Sequence, residues 1–314
     1  MINDNTSDSL LQWYSRKAHS LILAACLNRR SDEYLAVGDA NYVDYKRRSL
    51  RVYQCSKEIE AVTYADGTLK HKSRNFCDDR LCPQCARMRS LRLARNAMEV
   101  SKAYYSAHPD APKALHVILT QRNCAPCELR SELGRMIDAL RKITNSRRDT
   151  KNRWAGMARS IEITYNEHEG SFHPHVHLIV LPTIDDAELK SDSWWSNVWM
   201  ECMKLDYLPM CKVVPCYSDG ALAEVSKYIT KMSKIYDIAD RDERYAVVSC
   251  IDDAIKKHRV IAYYGEWKQL RAELQQNDTM MLDDEFEGQE VVSRQILQWA
   301  GLEKGYVPVG GAAK

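Results

Sequence analysis

The chain has 314 residues, 45% hydrophobic and 28% charged, with 45 Lys and Arg against 43 Asp and Glu for a net charge of +2. That length buries a sizeable core in one large or two ordinary domains, and the near balance of charge excludes a uniformly basic coat, so any polyanion surface must come from local clusters. Eleven cysteines, odd in number and irregularly spaced, fit thiols and thiolate ligands of a reducing compartment better than a secreted disulfide framework, and the protein reads as cytoplasmic.

Residues 1–9 are polar and loose, and 10–27 carry the apolar spacing of an amphipathic helix. The apolar run within it is too short to span a bilayer, and its acidic, polar approach argues against a signal peptide, so no membrane partner is expected. Residues 50–54 and 59–64 read as a pair of short strands, with Asp66-Gly67 as a turn signal.

Next comes Cys77-Asp78-Asp79-Arg80-Leu81-Cys82-Pro83-Gln84-Cys85. Cys82 and Cys85 form a C-x-x-C knuckle whose thiolates reach one ion, and Cys77 is near enough to be a third ligand. A structural Zn²⁺ wants four, and Cys55, at the end of the preceding predicted strand, is the choice for the fourth, with His71 as its substitute. A helix over 86–102 follows, carrying Arg87, Arg89, Arg92, Arg95 and Lys102 against Glu99 alone, so that knuckle and helix read as a DNA-contacting unit. Cys124 and Cys127 repeat the C-x-x-C spacing without a second pair and read as a loop without metal.

Residues 114–120 read as a buried strand with Gln121-Arg122-Asn123 as its polar exit, and 128–143 as a helix. That helix runs into Arg141, Lys142, Arg147, Arg148, Lys151 and Arg153, opposed only by Asp149, where a phosphate backbone could pass.

A strand over 159–165 puts Ile161 and Ile163 on one face and Glu162 and Thr164 on the other, and the polar segment 166–170 turns it into Phe172-His173-Pro174-His175-Val176-His177-Leu178. Alternation sends His175 and His177 to one face. If Asn166 pairs with Ser171, Glu162 lies opposite His175; a slip of two residues puts it opposite His177. Either way one carboxylate joins two imidazoles, a donor set that suits Mg²⁺ or Mn²⁺ with positions left for a substrate phosphate. His173 is left as a supporting residue or substrate contact.

Residues 192–205 read as a helix whose tryptophans recur at core spacing, and 207–215 as another strand. A helix opening near Ser218 then places Glu224, Tyr228 and Lys231 on one face. A phenol of ordinary pKa ~10 needs a nearby metal, or a base taking its proton, to attack phosphorus. From 245 onward, 259–264 reads as a strand and 267–275 as a helix, followed by an acidic stretch and a Gly-rich, loose end.

These stretches, from Cys77-x4-Cys82-Pro83-x-Cys85 through Arg122-Asn123, Glu162 and His173-Pro174-His175-Val176-His177 to Glu224-x3-Tyr228-Ile229-x-Lys231, resemble the HUH endonucleases. Within them they resemble the single-tyrosine initiators of plasmid rolling-circle replication (Rep proteins). The resemblance implies a site-specific single-strand nickase of the bacterial cytoplasm. Glu162, His175 and His177 would hold the ion and Tyr228 would attack, leaving a 5'-phosphotyrosine and a 3'-hydroxyl primer. Lys231 would hold a phosphate oxygen, and Glu224 would activate water for termination. Plasmid origin DNA is the implied partner, with host helicase and polymerase beyond it.

The architecture expected is α+β: a central antiparallel sheet with flanking helices, the Glu162 and His175 strands adjacent near its centre, and a small zinc-binding element. The divisions expected are a helical segment over 1–49, the zinc element and basic helix over 50–105, a catalytic domain over 106–240, and a tail over 241–314 to which oligomerisation or origin recognition could fall. A related transposase or mobilisation relaxase shares this chemistry. A zinc-containing DNA-binding protein with a purely structural histidine strand is the non-enzymatic alternative.

Overall fold

The computed structural model describes residues 9–73, 75–145, 153–216, 232–277 and 290–309. The chain divides into two compact units, Met1–Met88 with Met281–Lys314, and Arg89–Met280.

In the first unit, α1 (Leu10–Ala36) opens on a capping box in which the Ser9 hydroxyl accepts from the Gln12 N–H and the Gln12 side chain accepts from the Ser9 N–H. α2 (Asn41–Gln54) packs along it, with Leu23, Leu27, Tyr45 and Val52 buried. Residues 50–54 are thus the end of a helix, where the sequence predicts a strand. The apolar–polar alternation of Leu50 to Tyr53 imitates a strand locally, but the buried positions are Tyr45, Ser49 and Val52, spaced four and three apart. The hairpin partner of β1 (Glu58–Tyr64) is instead β2 (Leu69–Ser73), beyond the Asp66-Gly67 turn. From the tail, β8 (Val291–Trp299) adds to the other edge of β1 and β9 (Tyr306–Pro308) to β8, giving an antiparallel sheet in the order β2-β1-β8-β9. The tail is therefore a structural part of this unit, although the sequence marks its end as loose.

α3 (Pro83–Ala107) begins in the first unit, and its residues from Arg89 belong to the second. The second unit is built on an antiparallel sheet of β3 (Leu115–Leu119), β4 (Trp154–Asn166), β5 (Ser171–Pro182), β6 (Cys211–Pro215) and β7 (Ile261–Gly265), in the order β6-β3-β5-β4-β7. The α+β class with an antiparallel sheet is as expected, and β4 and β5 lie side by side at its middle.

One face of the sheet is apolar. Ile161, Ile163, Val176, Leu178 and Val180 are buried there, and α4 (Leu129–Asn145) packs against β5, with α5 (Asp192–Met203) and α6 (Arg241–Ile255) against α4. The tryptophans of α5 are core, as their spacing predicts: Trp195 and Trp199 are fully buried. On the other face, Ile179 and Leu181 are covered by Ala97, Val100 and Tyr104 of α3 and by Trp267 of α7 (Glu266–Asn277). Gly265 turns β7 into α7 at φ +57°, and a Cβ there would run into the Ala155 carbonyl oxygen.

Among the described residues no helix is long and apolar enough to cross a membrane. Glu224, Tyr228 and Lys231 lie outside the described residues, as do Arg147, Arg148, Lys151 and the acidic stretch of the tail.

Candidate active site and cysteine cluster

The β4–β5 hairpin pairs Asn166 with Ser171, the first of the two registers weighed from sequence, so Glu162 lies opposite His175 and Ser160 opposite His177. Same-face alternation does the rest. Glu162 Oε2 lies 2.8 Å from His175 Nε2 and 3.0 Å from His177 Nε2, and one ligand atom from each residue falls within 4.8 Å of the others. Glu162 and His177 are buried, while His175 is part-exposed. Burial works to raise the Glu162 pKa, but hydrogen bonds from both imidazoles outweigh it and hold the carboxyl at about 2.

The other ring nitrogens decide what this contact means. His175 Nδ1 lies 3.4 Å from the His173 carbonyl oxygen, so this ring has an acceptor at each nitrogen. Two imidazole Nε2 atoms and one carboxylate oxygen converge on one point, where a bound cation can take the place of the ring protons. The donor set and its geometry fit a divalent ion.

One partner escaped the sequence reading. His116 on β3 sits diagonally from His177, and its Nε2 lies 3.0 Å from His177 Nδ1. Burial first, and the His177 charge second, push the His116 pKa down to about 4, so it is neutral and can accept a proton donated by His177 Nδ1. A lone polar residue in the otherwise apolar Leu115-His116-Val117-Ile118-Leu119 was the signal available. Asn123, in the exit from β3, accepts from His173 Nδ1–H through Oδ1 at 2.9 Å and donates through Nδ2 to the Ser171 hydroxyl at 2.9 Å. His173 thus supports the strand end and remains outside the three-residue cluster.

In the first unit Cys55, Cys77, Cys82 and Cys85 come together, all buried, with Sγ atoms within 4.8 Å of one another. The Sγ atoms of Cys77 and Cys85 lie 3.5 Å apart, those of Cys55 and Cys82 3.6 Å, and those of Cys55 and Cys85 3.7 Å. Four sulfurs about 2.3 Å from a tetrahedral ion stand about 3.8 Å apart, so the spacing suits Zn²⁺ without rearrangement. Cys55 reaches the cluster from the end of helix α2 rather than from a strand, and His71, on β2 opposite Ala61, is not among the four. Lys17 is buried beside them, donating to the carbonyls of Tyr53 (2.6 Å) and Cys55 (2.7 Å). Burial lowers its pKa to about 8, with the cysteines pulling the other way.

The basic groups are more occupied than the sequence implies. Arg153 meets Asp186 at 2.8 Å and Glu188 at 2.7 Å, Arg141 meets Asp138 at 2.9 Å, and Lys142 donates to the Cys202 carbonyl. On α3, Arg95 pairs with Glu99 at 3.2 Å. Cys124 is buried in a bridge to Phe172, while Cys127 is exposed.

Residues 68–307 match a family model described as "Replication protein". A "Protein rep" of Lentilactobacillus hilgardii is 29% identical over 312 residues, 94% of each chain. A "Protein rep" of Streptococcus pneumoniae is 26% identical over 235 residues, covering 72% of this chain and 71% of the relative. A "Replication protein" of Staphylococcus aureus is 26% identical over 196 residues, 57% of this chain and 83% of the relative. No solved structure gives a significant match.

Proposed function

The chain belongs to the replication protein family, and from that premise we propose that it initiates plasmid rolling-circle replication as a metal-dependent, site-specific single-strand DNA nickase of the HUH type. The observation that supports this most is the convergence of His175 and His177 on a single Glu162 oxygen, 2.8 and 3.0 Å away. Glu162, His175 and His177 would hold a divalent ion, Mg²⁺ or Mn²⁺, which when bound would supply Lewis-acid polarisation of the scissile phosphate. The β4–β5 hairpin, paired from Gly156–Leu181 to Asn166–Ser171, would fix the position of that phosphate.

Tyr228 is the nucleophile of this reading. Its phenol oxygen bonds to phosphorus as the bond to the 3'-oxygen breaks, and the phenol proton passes through solvent to the departing oxygen. The products are a 5'-phosphotyrosine and a free 3'-hydroxyl, and the covalent link conserves the phosphodiester energy for rejoining. Lys231 holds a phosphate oxygen. Glu224, four residues before Tyr228 in the chain, takes a proton from water when the reaction ends. The Cys55–Cys77–Cys82–Cys85 cluster holds a structural Zn²⁺, and plasmid origin DNA is the partner.

The test is a labelled single-stranded origin oligonucleotide incubated with Mn²⁺ and run under denaturing conditions. The full chain is expected to give a slow-migrating covalent adduct, Tyr228→Phe none, and Glu224→Gln the adduct without release at termination. Strand cleavage by Tyr228→Phe at the normal rate would contradict the reading.

His116 is a positioning residue in this scheme. His116→Leu leaves the buried Nδ1–H of His177 without an acceptor and is expected to weaken Mn²⁺ binding roughly 10- to 100-fold. His116→Gln, whose side-chain oxygen can accept, recovers part of that loss. Calorimetric titration of Mn²⁺ into metal-free protein measures both.

A further inference from the structure

At the open end of the site, beside Asn123 and His173, the chain carries a group that the chemistry above does not use. Arg122 Cζ lies 3.9 Å over the ring of Tyr207, and the Arg122 backbone N–H donates to the Tyr207 hydroxyl at 2.7 Å. Arg122 is exposed and, among the described residues, no carboxylate pairs with it, whereas Arg141 meets one and Arg153 two. The support beneath is stiff: the Trp199 indole donates to the Thr120 carbonyl at 2.9 Å, and the Thr120 hydroxyl donates to the Met210 carbonyl. Leu208 and Met210, close behind Tyr207 in the chain, are 59% and 82% exposed.

Its location is fixed by neighbours. Asn123, next in the chain to Arg122, holds His173, and the rings of His173, His175 and His177 follow one another at 5.5 and 4.9 Å between centroids. Arg122 lies in the exit from β3, where the pairing with β5 shifts by one residue between Leu119–Val176 and the Cys124–Phe172 bridge, and it immediately precedes the residue that reaches His173. An uncompensated guanidinium resting on an aromatic ring offers a planar surface on which an unpaired base stacks and a positive edge for its phosphate.

We propose that Arg122 and Tyr207 form a nucleobase platform that holds, by stacking, an unpaired base of single-stranded DNA adjacent to the phosphate seated at Glu162, His175 and His177. This rests on the nickase reading only for the phosphate; the platform itself is a binding surface and can be measured without metal or cleavage.

The experiment is fluorescence anisotropy of the full chain with a labelled twelve-nucleotide oligothymidylate, and with an abasic strand of the same length, in EDTA. Tyr207→Ala and Arg122→Ala are each expected to weaken oligothymidylate binding roughly 5- to 100-fold. Tyr207→Phe, which keeps the ring, is expected to stay within a few-fold of the unaltered protein. On the abasic strand, Tyr207→Ala is expected to match the unaltered protein. Arg122→Lys should preserve the salt dependence of binding while losing the preference for the strand with bases. Unchanged oligothymidylate binding by Tyr207→Ala, or an equal loss on both strands, overturns the platform. Failure of the unaltered protein to nick DNA with Mn²⁺ would sink the nickase reading while leaving this outcome readable.

Discussion

His177→Ala is expected to lose divalent-ion binding and to nick origin DNA at least roughly 10³-fold more slowly than the unaltered chain, with His175→Ala close behind. Lewis-acid stabilisation of a phosphoryl transition state is worth several kcal/mol, and each ~1.4 kcal/mol is a factor of ten in rate. His177 carries the larger effect because it is the more buried of the two, 5% against 14% side-chain exposure, and because it alone joins Glu162 to His116. Either substitution also leaves the Glu162 carboxylate in its buried place with one imidazole fewer, a cost to folding of up to a few kcal/mol. Glu162→Gln separates the two effects, since it keeps the shape and removes the charge that the ion needs. It should melt near the normal temperature yet bind Mn²⁺ poorly. Normal nicking by His177→Ala in a correctly folded protein would mean that the cluster is structural.

Removing the ion from the cysteine cluster is expected to have a still larger consequence, for folding rather than chemistry. Four-thiolate zinc sites contribute roughly 10–16 kcal/mol of apparent binding energy, as much as the whole stability of an ordinary domain at about 5–15 kcal/mol. Cys55, Cys77, Cys82 and Cys85 tie the end of α2, the loop before α3 and the first turn of α3 to one point. Lys17, buried at 1% exposure, donates to the Tyr53 and Cys55 carbonyls, and negative charge on the neighbouring thiolates would further favour its ammonium form. Cys82→Ser should therefore lower zinc content toward zero and abolish the cooperative melting of the first unit, and a strong chelator should do the same to the unaltered protein. Purified protein without zinc, melting identically with and without chelator, would show that the cysteines stand as ordinary core thiols.

Local pattern carried most of what the sequence revealed. The two histidines and Glu162 were legible because strand alternation is strict and the polar turn at 166–170 limits the register to two choices. The three cysteines of the knuckle were legible through spacing, and Cys55 through the need for a fourth ligand. What stayed hidden depends on distant pairing. β8 adds to β1 across more than two hundred residues, and its exposed, mixed sequence gives no buried stripe to mark it. The end of α2 resembled a strand because five residues are too few to tell one period from the other. His116 and the Arg122–Tyr207 stack were invisible for a similar reason: each needs a neighbour supplied by a strand or loop tens of residues away.

The most direct measurement is to incubate the full chain with Mn²⁺ and a single-stranded plasmid-origin oligonucleotide, digest with protease, and map by mass spectrometry which peptide carries nucleotide. The account predicts a single modified peptide containing Tyr228, absent when His177 is replaced by alanine. Cleaved DNA with the nucleotide on any other residue, or an adduct that forms equally well in His177→Ala, would contradict it.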